Sequence, residues 1–378
     1  MKKLLIASAA LAMVAGTAQA QSSVTVYGVV DAGLNEIKST PSSSTAANGT
    51  SKTTESIQSA GEASTSRLGF RGTEDLGGGM KANFVLESAI AGNTAMTFGG
   101  RAFWAGVEDS KLGEIRIGLQ NSEARDVWLA HDQLAAANVS GNLAHSTAYG
   151  VAGTSAHTAF ATGVRYLSPR MNGVQVTAGL TRSNVEESGK DTTKSGEGYA
   201  FGANYAAGKL SLAAAYSDAD TNTNATSNTF LKNADGTDTS TLVSTAAAAT
   251  KIQTKTTSAA ASYDFGVAKV AYIYTKLDQT DAVSVASKSN IDRETNAFSV
   301  SVPVSAKTVL RAGYGFGDYK VADGKEVDLK GYQFAVNYNL SKRTTAYAIY
   351  GEQKQERTDA TKENFKDKEY SVGVRHSF

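Results

Sequence analysis

The chain has 378 residues with no cysteine, 36 glycines, 16 tyrosines, 13 phenylalanines, only 3 prolines and a formal charge of +1. The lack of cysteine excludes a disulfide scaffold, so burial and backbone pairing must hold the fold. Beyond the first twenty residues no apolar run approaches the roughly 18 residues of a membrane helix, and no basic patch or motif suggests nucleic acid.

In chain order, the first element is an export signal. Lys2 and Lys3 precede an apolar run from Leu4 to Ala15, and Ala18-Gln19-Ala20 has the small-x-small pattern of a cleavage site before Gln21. The expected division is a signal peptide over 1–20 and one mature unit over 21–378. That unit has 358 residues and a formal charge of −1, with no composition shift or proline-rich joint to divide it.

Segments that alternate apolar and polar residues follow one another along the mature chain. Leu68 and Phe70 alternate with Arg67, Gly69 and Arg71. Ala82, Phe84 and Leu86 alternate with Lys81, Asn83, Val85 and Glu87. Ile115, Ile117 and Leu119 alternate with Glu114, Arg116, Gly118 and Gln120, the cleanest instance. Val174, Val176, Ala178 and Leu180 share one face, as do Tyr332, Phe334, Val336, Tyr338 and Leu340. The last strand puts Tyr370, Val372, Val374 and Phe378 on one face, with His376 the polar exception. A period of two with one apolar face is the pattern of strands that meet lipid outside and water inside. A soluble sandwich would need a second apolar layer that these segments lack.

The connections alternate in length. Short turns at 74–79, 109–113, 168–173, 206–209, 264–266, 303–307 and 339–342 separate longer polar stretches. The long ones fall at roughly 38–62, 91–99, 122–159, 184–197, 219–251, 279–292, 320–328 and 354–367. Seven turns and eight loops predict sixteen strands, with both termini on the short-turn side. A closed antiparallel barrel of that size leaves an aqueous channel rather than a packed core. The terminal strand is expected to pair with strands near 344–353 and 23–35, so that no edge is left open.

Four segments carry a family resemblance. They are Ser23-Val-Thr-Val-Tyr-Gly-Val-Val-Asp-Ala-Gly33, Thr65-Ser-Arg-Leu-Gly-Phe-Arg-Gly-Thr-Glu-Asp-Leu-Gly-Gly-Gly-Met-Lys81, Leu112-Gly-Glu-Ile-Arg-Ile-Gly118 and Val372-Gly-Val-Arg-His-Ser-Phe378. Through them the chain resembles the general diffusion porins of Gram-negative bacteria, in particular the trimeric 16-stranded betaproteobacterial type. The resemblance implies an outer-membrane homotrimer among lipids, a third long loop folded into the lumen, and a C-terminal Phe378 read by the outer-membrane assembly machinery. It also implies that the third loop faces a cluster of arginines on the wall.

Here the third loop is 122–159, with Glu123, Asp126, Trp128 and Asp132 in its first third. Alternation turns Arg67, Arg71, Arg116 and Arg165 inward, with Lys81, Arg311 and Arg375 as additions. An acid loop opposite a basic wall creates a transverse field at a constriction, which favours small polar solutes. Arg67 lies in the most specific segment and is the leading candidate. Leu119-Gln120 stands where the family commonly has an arginine, and the loop lacks the Pro-Glu-Phe-Gly-Gly-like run often found there.

Other chemistry is weakly represented. Of the four histidines, His131, His145 and His157 lie within loop three at spacings that fit no standard metal site. Ser377 and His376 are neighbours on a strand and point to opposite faces, so they form no nucleophile–base pair. The Gly77-Gly-Gly79 run reads as a strand reversal, since neither a following helix nor a Lys-Ser/Thr pair completes a phosphate cradle. Asn138-Val-Ser140 matches a glycosylation sequon only formally. The expected function is passive diffusion of small hydrophilic solutes and ions, without enzyme activity or cofactor. The alternative is an adhesin or receptor barrel acting through its surface loops, which requires loop three to lie outside the lumen.

Overall fold

The computed structural model describes residues 23–40, 52–58, 63–90, 101–135, 138–144, 160–185, 194–223, 226–232, 238–246, 250–281, 291–320, 326–357 and 364–378. The leader over 1–20, His145 and His157 lie outside the described residues. In chain order the strands are β1 (Ser23–Thr40), β2 (Lys52–Gln58), β3 (Arg67–Gly77), β4 (Met80–Ala89), β5 (Phe103–Asp109) and β6 (Gly113–Asn121). The helix α1 (Glu123–His131) follows, then β7 (Phe160–Leu167), β8 (Val174–Val185), β9 (Lys194–Ala207) and β10 (Leu210–Thr223). Next come β11 (Thr226–Lys232), β12 (Asp238–Ala246), β13 (Thr250–Asp264), β14 (Lys269–Asp281) and β15 (Ile291–Pro303). The chain finishes with β16 (Thr308–Lys320), β17 (Glu326–Asn339), β18 (Thr344–Arg357) and β19 (Asn364–Ser377).

Seventeen strands form one antiparallel sheet, and the β1–β19 pairing closes it. Strands β2 and β3 occupy one stave in series, because both pair with the same edge of β1: Ser39↔Lys52 to Gly33↔Gln58, then Val29↔Arg67 to Ser23↔Thr73. The barrel therefore has sixteen staves. Strands β11 and β12 make a separate hairpin within the connection from β10 to β13, which pair directly with each other. The sequence count is met, but β2 and the β11–β12 hairpin extend into stretches that composition marks as loop. Their Thr-rich and Ser-rich segments lack the apolar face that signals a lipid-facing strand.

Period-two patterning explains the placement of side chains. Outward positions carry exposed apolar residues such as Val26, Leu34, Ile117, Leu180, Phe334 and Val372, which in lipid is their favourable environment. Inward positions carry the polar residues, among them Asp31, Glu87, Arg165, Thr275, Arg293 and Gln333, all buried. The seam is tight: the Gly28 N–H donates to the Phe378 carbonyl at 3.1 Å, and the Phe378 N–H returns a bond to the Gly28 carbonyl at 3.1 Å. Only glycine fits at 28, since a Cβ there would stand 2.4 Å from the Phe378 ring and 2.6 Å from the Arg67 carbonyl. Gly28→Val is expected to cost on the order of 1–3 kcal/mol by overpacking, lowering the urea midpoint for the folded band on a cold SDS gel. Ala32→Val, at an exposed outward position of the same strand, should leave that midpoint unchanged.

Candidate functional site

The connection from β6 to β7 turns into the barrel. Its first step is α1, which starts because the Ser122 side chain accepts a bond from the Arg125 N–H and Glu123 and Asp126 sit in the first turn against the positive helix end. Asp132 in extended conformation ends it. Val127 and Trp128 point to the inner wall and pack with Ala144 against Ala215 of β10, Ala260 of β13 and Ile273 of β14. Alanines on the wall leave room for this second layer. His131 is 1% exposed. Its Nδ1 lies 2.9 Å from the Val127 carbonyl and its Nε2 3.2 Å from Ser211 Oγ. The carbonyl can only accept, so Nδ1 carries the proton and Nε2 accepts from Ser211. Burial pushes the imidazole below its ordinary value.

The loop then crosses to the opposite wall. Gln133 N–H donates to Ser299 Oγ at 3.1 Å, and an Arg311 guanidinium N–H donates to the Gln133 carbonyl. Asp132 ties the two halves together by accepting from Leu134 N at 2.9 Å and Asn142 Nδ2 at 3.1 Å. Residues 138–144 lie on β16–β19. Gln333 Nε2 donates to the Val139 carbonyl at 2.9 Å, and Ser140 N donates to Glu369 Oε2 at 2.6 Å. Leu143, 1% exposed, rests over Gly315 and Gly331. The closest approach is at Gly351, where a Cβ would stand 1.7 Å from the Ser140 carbonyl oxygen. Loop three is therefore inside the lumen over residues 122–135 and 138–144, and the receptor reading loses its condition.

A second inward segment was not signalled by sequence. Residues 63–66, between β2 and β3, turn inward. Ser64 N donates to Asp31 Oδ2 at 2.7 Å, Asp31 N donates to Ser66 Oγ at 2.9 Å, and Tyr347 OH donates to Asp31 Oδ1 at 2.6 Å. Ala63 joins Val139, Ala335, Tyr347 and Ile349 in one apolar cluster, so this turn supports the far end of loop three.

The charges arrange themselves differently from a simple acid loop facing a basic wall. Arg165 pairs directly with two loop acids, Nε to Glu123 Oε1 at 3.1 Å and Nη1 to Asp126 Oδ2 at 2.8 Å. Burial pushes the Glu123 carboxyl up, against the pull of Arg165. Arg116 pairs with Glu114 at 2.6 Å and lies 4.2 Å over the Trp104 ring. Arg71 lies 5.2 Å over Tyr27. Arg67 is 3.6 Å from Glu87, whose other oxygen holds Arg101 at 2.5 Å, and Arg67 also donates to the Thr65 carbonyl. Arg67, Arg101 and Arg125 line a cavity of ≈ 250 Å³ between α1 and the β3–β6 wall, with Glu87 as its carboxylate. On the other side of α1, Glu123, Asp126, Arg165 and Arg170 line a cavity of ≈ 460 Å³. Sequence reasoning missed Arg101 and Arg125. The first precedes its strand and escapes the alternation, while the second lies on a helix that only Ser122 and the following acids could have signalled.

The molecule is thus a sheet closed on itself, with an apolar outside, a polar inside and a loop spanning the lumen. The sequence model of the Gram-negative porin matches residues 7–358. The chain belongs to that family. Across its whole length it is 28% identical to an outer membrane porin protein of Bordetella pertussis, also covered in full. Over 121 residues, 31% of each chain, it is 45% identical to outer membrane porin protein 32 of Delftia acidovorans. Among solved structures, the anion-selective porin from Comamonas acidovorans superposes with a TM-score of 0.69 at 22% identity, covering 95% of this chain and all of that one. OmpT of Vibrio cholerae, in its trimer form, superposes at 0.65 with 16% identity, covering 94% and 99%. This porin resides in the outer membrane and forms a channel for passive diffusion, as its family's non-enzymatic barrels do.

Two outcomes test how loop three is held. Arg165→Met leaves Glu123 and Asp126 without their cation, and because the Arg165–Glu123 pair is buried the expected loss is about 3 kcal/mol. It should appear as a lower urea midpoint together with noisier single-channel current. His131 resists protonation when docked but titrates ordinarily when released, so the released state binds the extra proton. Docking is then complete above the ordinary value of 6.5 and weakens as pH falls below it. Closing events should become more frequent on acidification through this range, and His131→Gln should abolish that dependence.

Proposed function

We propose that the narrowest part of this channel lies beside α1, against the β3–β6 wall, and that Arg67, Arg71, Arg101 and Arg125 give it a preference for small anions. The observation that carries this reading is the unequal charge of the ≈ 250 Å³ cavity, where three arginines meet one carboxylate, Glu87. A low-dielectric wall makes such an imbalance effective over several ångströms. Arg116 and Arg165 serve a different purpose. Each is held by its own carboxylates, so they orient the wall and anchor the loop rather than project charge. Glu123 and Asp126 likewise fasten α1, and Asp132 joins the halves of loop three. The anion-selective character of the Comamonas acidovorans barrel supports the same direction for this chain.

The reading extends to assembly. The chain is exported by its leader over 1–20, inserted through recognition of Phe378 by the outer-membrane assembly machinery, and works as a homotrimer in the outer-membrane lipids. The trimer form of OmpT from Vibrio cholerae supports the last point. Reversal potentials in planar bilayers under a KCl gradient test the selectivity. The wild type should favour chloride, and Arg67→Glu with Arg125→Glu should shift the permeability ratio toward potassium by roughly threefold or more. An unchanged ratio would place the constriction elsewhere.

A further inference from the structure

On the short-turn side of α1, the cavity of ≈ 460 Å³ is walled by the inner face of β7 to β10 and by the turn before β8. Its charged groups are Glu123, Asp126, Arg165 and Arg170, two of each sign, and His131 beside them is neutral. These charges are separated rather than mixed. Glu123 and Asp126 share one guanidinium, that of Arg165, so one negative charge is left over at this end. It is centred on Asp126, whose side chain is 42% exposed, whereas Glu123 and Arg165 are buried. At the other end, and among the described residues, Arg170 donates only to neutral oxygens, the Gly173 carbonyl at 2.8 Å and Asn204 Oδ1 at 2.7 Å. Just outside the lining, Arg116 is paired with Glu114. Lys269 acts on His131, at the end of α1 opposite to Asp126, and so adds to the positive side.

The interval between the two poles sets the length of what fits. The Glu123 side chain rests on Gly202, where a Cβ would stand 3.3 Å from its Cγ. Arg170 is bonded to Asn204, two residues further along β9, and two residues of strand advance the wall by about 7 Å. Between the poles Thr177 faces Gly202 across the β8–β9 pairing. Its hydroxyl is buried, borders the cavity and has no hydrogen-bond partner among the described residues. A hydroxyl in that position costs free energy until a polar group meets it. Gly202 keeps it uncovered, since a Cβ there would stand 2.5 Å from Thr177 Oγ1. The Gln175 and Asn204 amides, opposite each other one row on, border the same stretch.

We infer that this cavity is a binding site for short zwitterionic peptides, with the α-ammonium on Asp126, the terminal carboxylate on Arg170 and the peptide group against Thr177. Two extended residues span about 7 Å, so a dipeptide reaches both poles. A free α-amino acid, whose charges are one carbon apart, reaches only one. A dianion would meet Asp126 and a dication would meet Arg170, so neither fits as well. The site lies across α1 from the arginine cavity and does not depend on the anion preference proposed above.

The test titrates the purified full-length protein in detergent micelles at neutral pH, where an α-amino group is largely protonated, and reads affinities by saturation-transfer NMR. The probes are glycylglycine, N-acetylglycylglycine without the ammonium, glycylglycinamide without the carboxylate, and glycine. Glycylglycine should bind saturably, and each of the other three at least about tenfold more weakly, as expected for the loss of one charge-assisted contact. Arg170→Gln should bring glycylglycine down to the level of glycylglycinamide, and a folded band on a cold SDS gel reports that the barrel is intact. If that variant does not fold, Asn204→Asp keeps Arg170 but gives it a carboxylate partner, and should weaken glycylglycine by a similar factor. N-acetylglycylglycine or glycine binding the wild type as tightly as glycylglycine would overturn the site. So would an unchanged glycylglycine affinity in the folded variant. A reversal potential that fails to favour chloride would leave these affinity ratios untouched, so peptide binding and anion preference fail separately.

Discussion

In hydrocarbon no water is available to a peptide group, so every backbone N–H and C=O that crosses the membrane must find its partner inside the protein. Among the described residues no helix is long and apolar enough to cross, and the requirement is met by a sheet with no edges. Everything else here depends on the seam that removes the last edge. Strand β19 pairs with β1 from Val29↔Ser377 to Thr40↔Lys366, and β18 covers its other side. The tight contact of Phe378 on Gly28 is the local form of that constraint, because the closing strand must approach as closely as any internal pair.

Closure with sixteen staves creates a second problem, since the interior is too wide for side chains to fill. The chain answers with segments that enter from the loop side. Loop three needs both a dry surface and polar anchors, and the wall supplies each where it is required. Ala215, Ala260 and Ile273 receive the helix. Gly331 and Gly351 admit the backbone at 140–141, Gly315 admits the Leu143 side chain, and Gln333 and Glu369 hold the peptide groups of Val139 and Ser140. The inward turn at 63–66, fixed on the fully buried Asp31, supports the far end. Small residues on an inner wall thus mark where a second layer lies, rather than where side-chain bulk is unimportant.

Electrostatics follows from the same packing. Once α1 is pressed toward β7, Arg165 meets Glu123 and Asp126 at bonding distance, so its positive charge is fully taken up by the loop's own carboxylates. On the other side of α1 the balance differs, because Glu87 is shared between Arg67 and Arg101. In the proposed channel, the charges that act on a solute are those not spent on holding the loop.

The period-two rows, the alternation of short and long connections and the terminal aromatic were legible as sixteen strands because each strand repeats a local rule. The inward direction of Arg67, Arg71, Arg116 and Arg165 was legible for the same reason. What no local rule contains is the partner of each inward group. Loop three lies between two walls far apart in sequence, so only the closed barrel brings Ser140 to Glu369, Glu123 to Arg165 and Arg125 to the cavity of Arg67. Those meetings are decided by the sheet, because hydrogen-bond pairing fixes position across a sheet where sequence fixes it only along a strand.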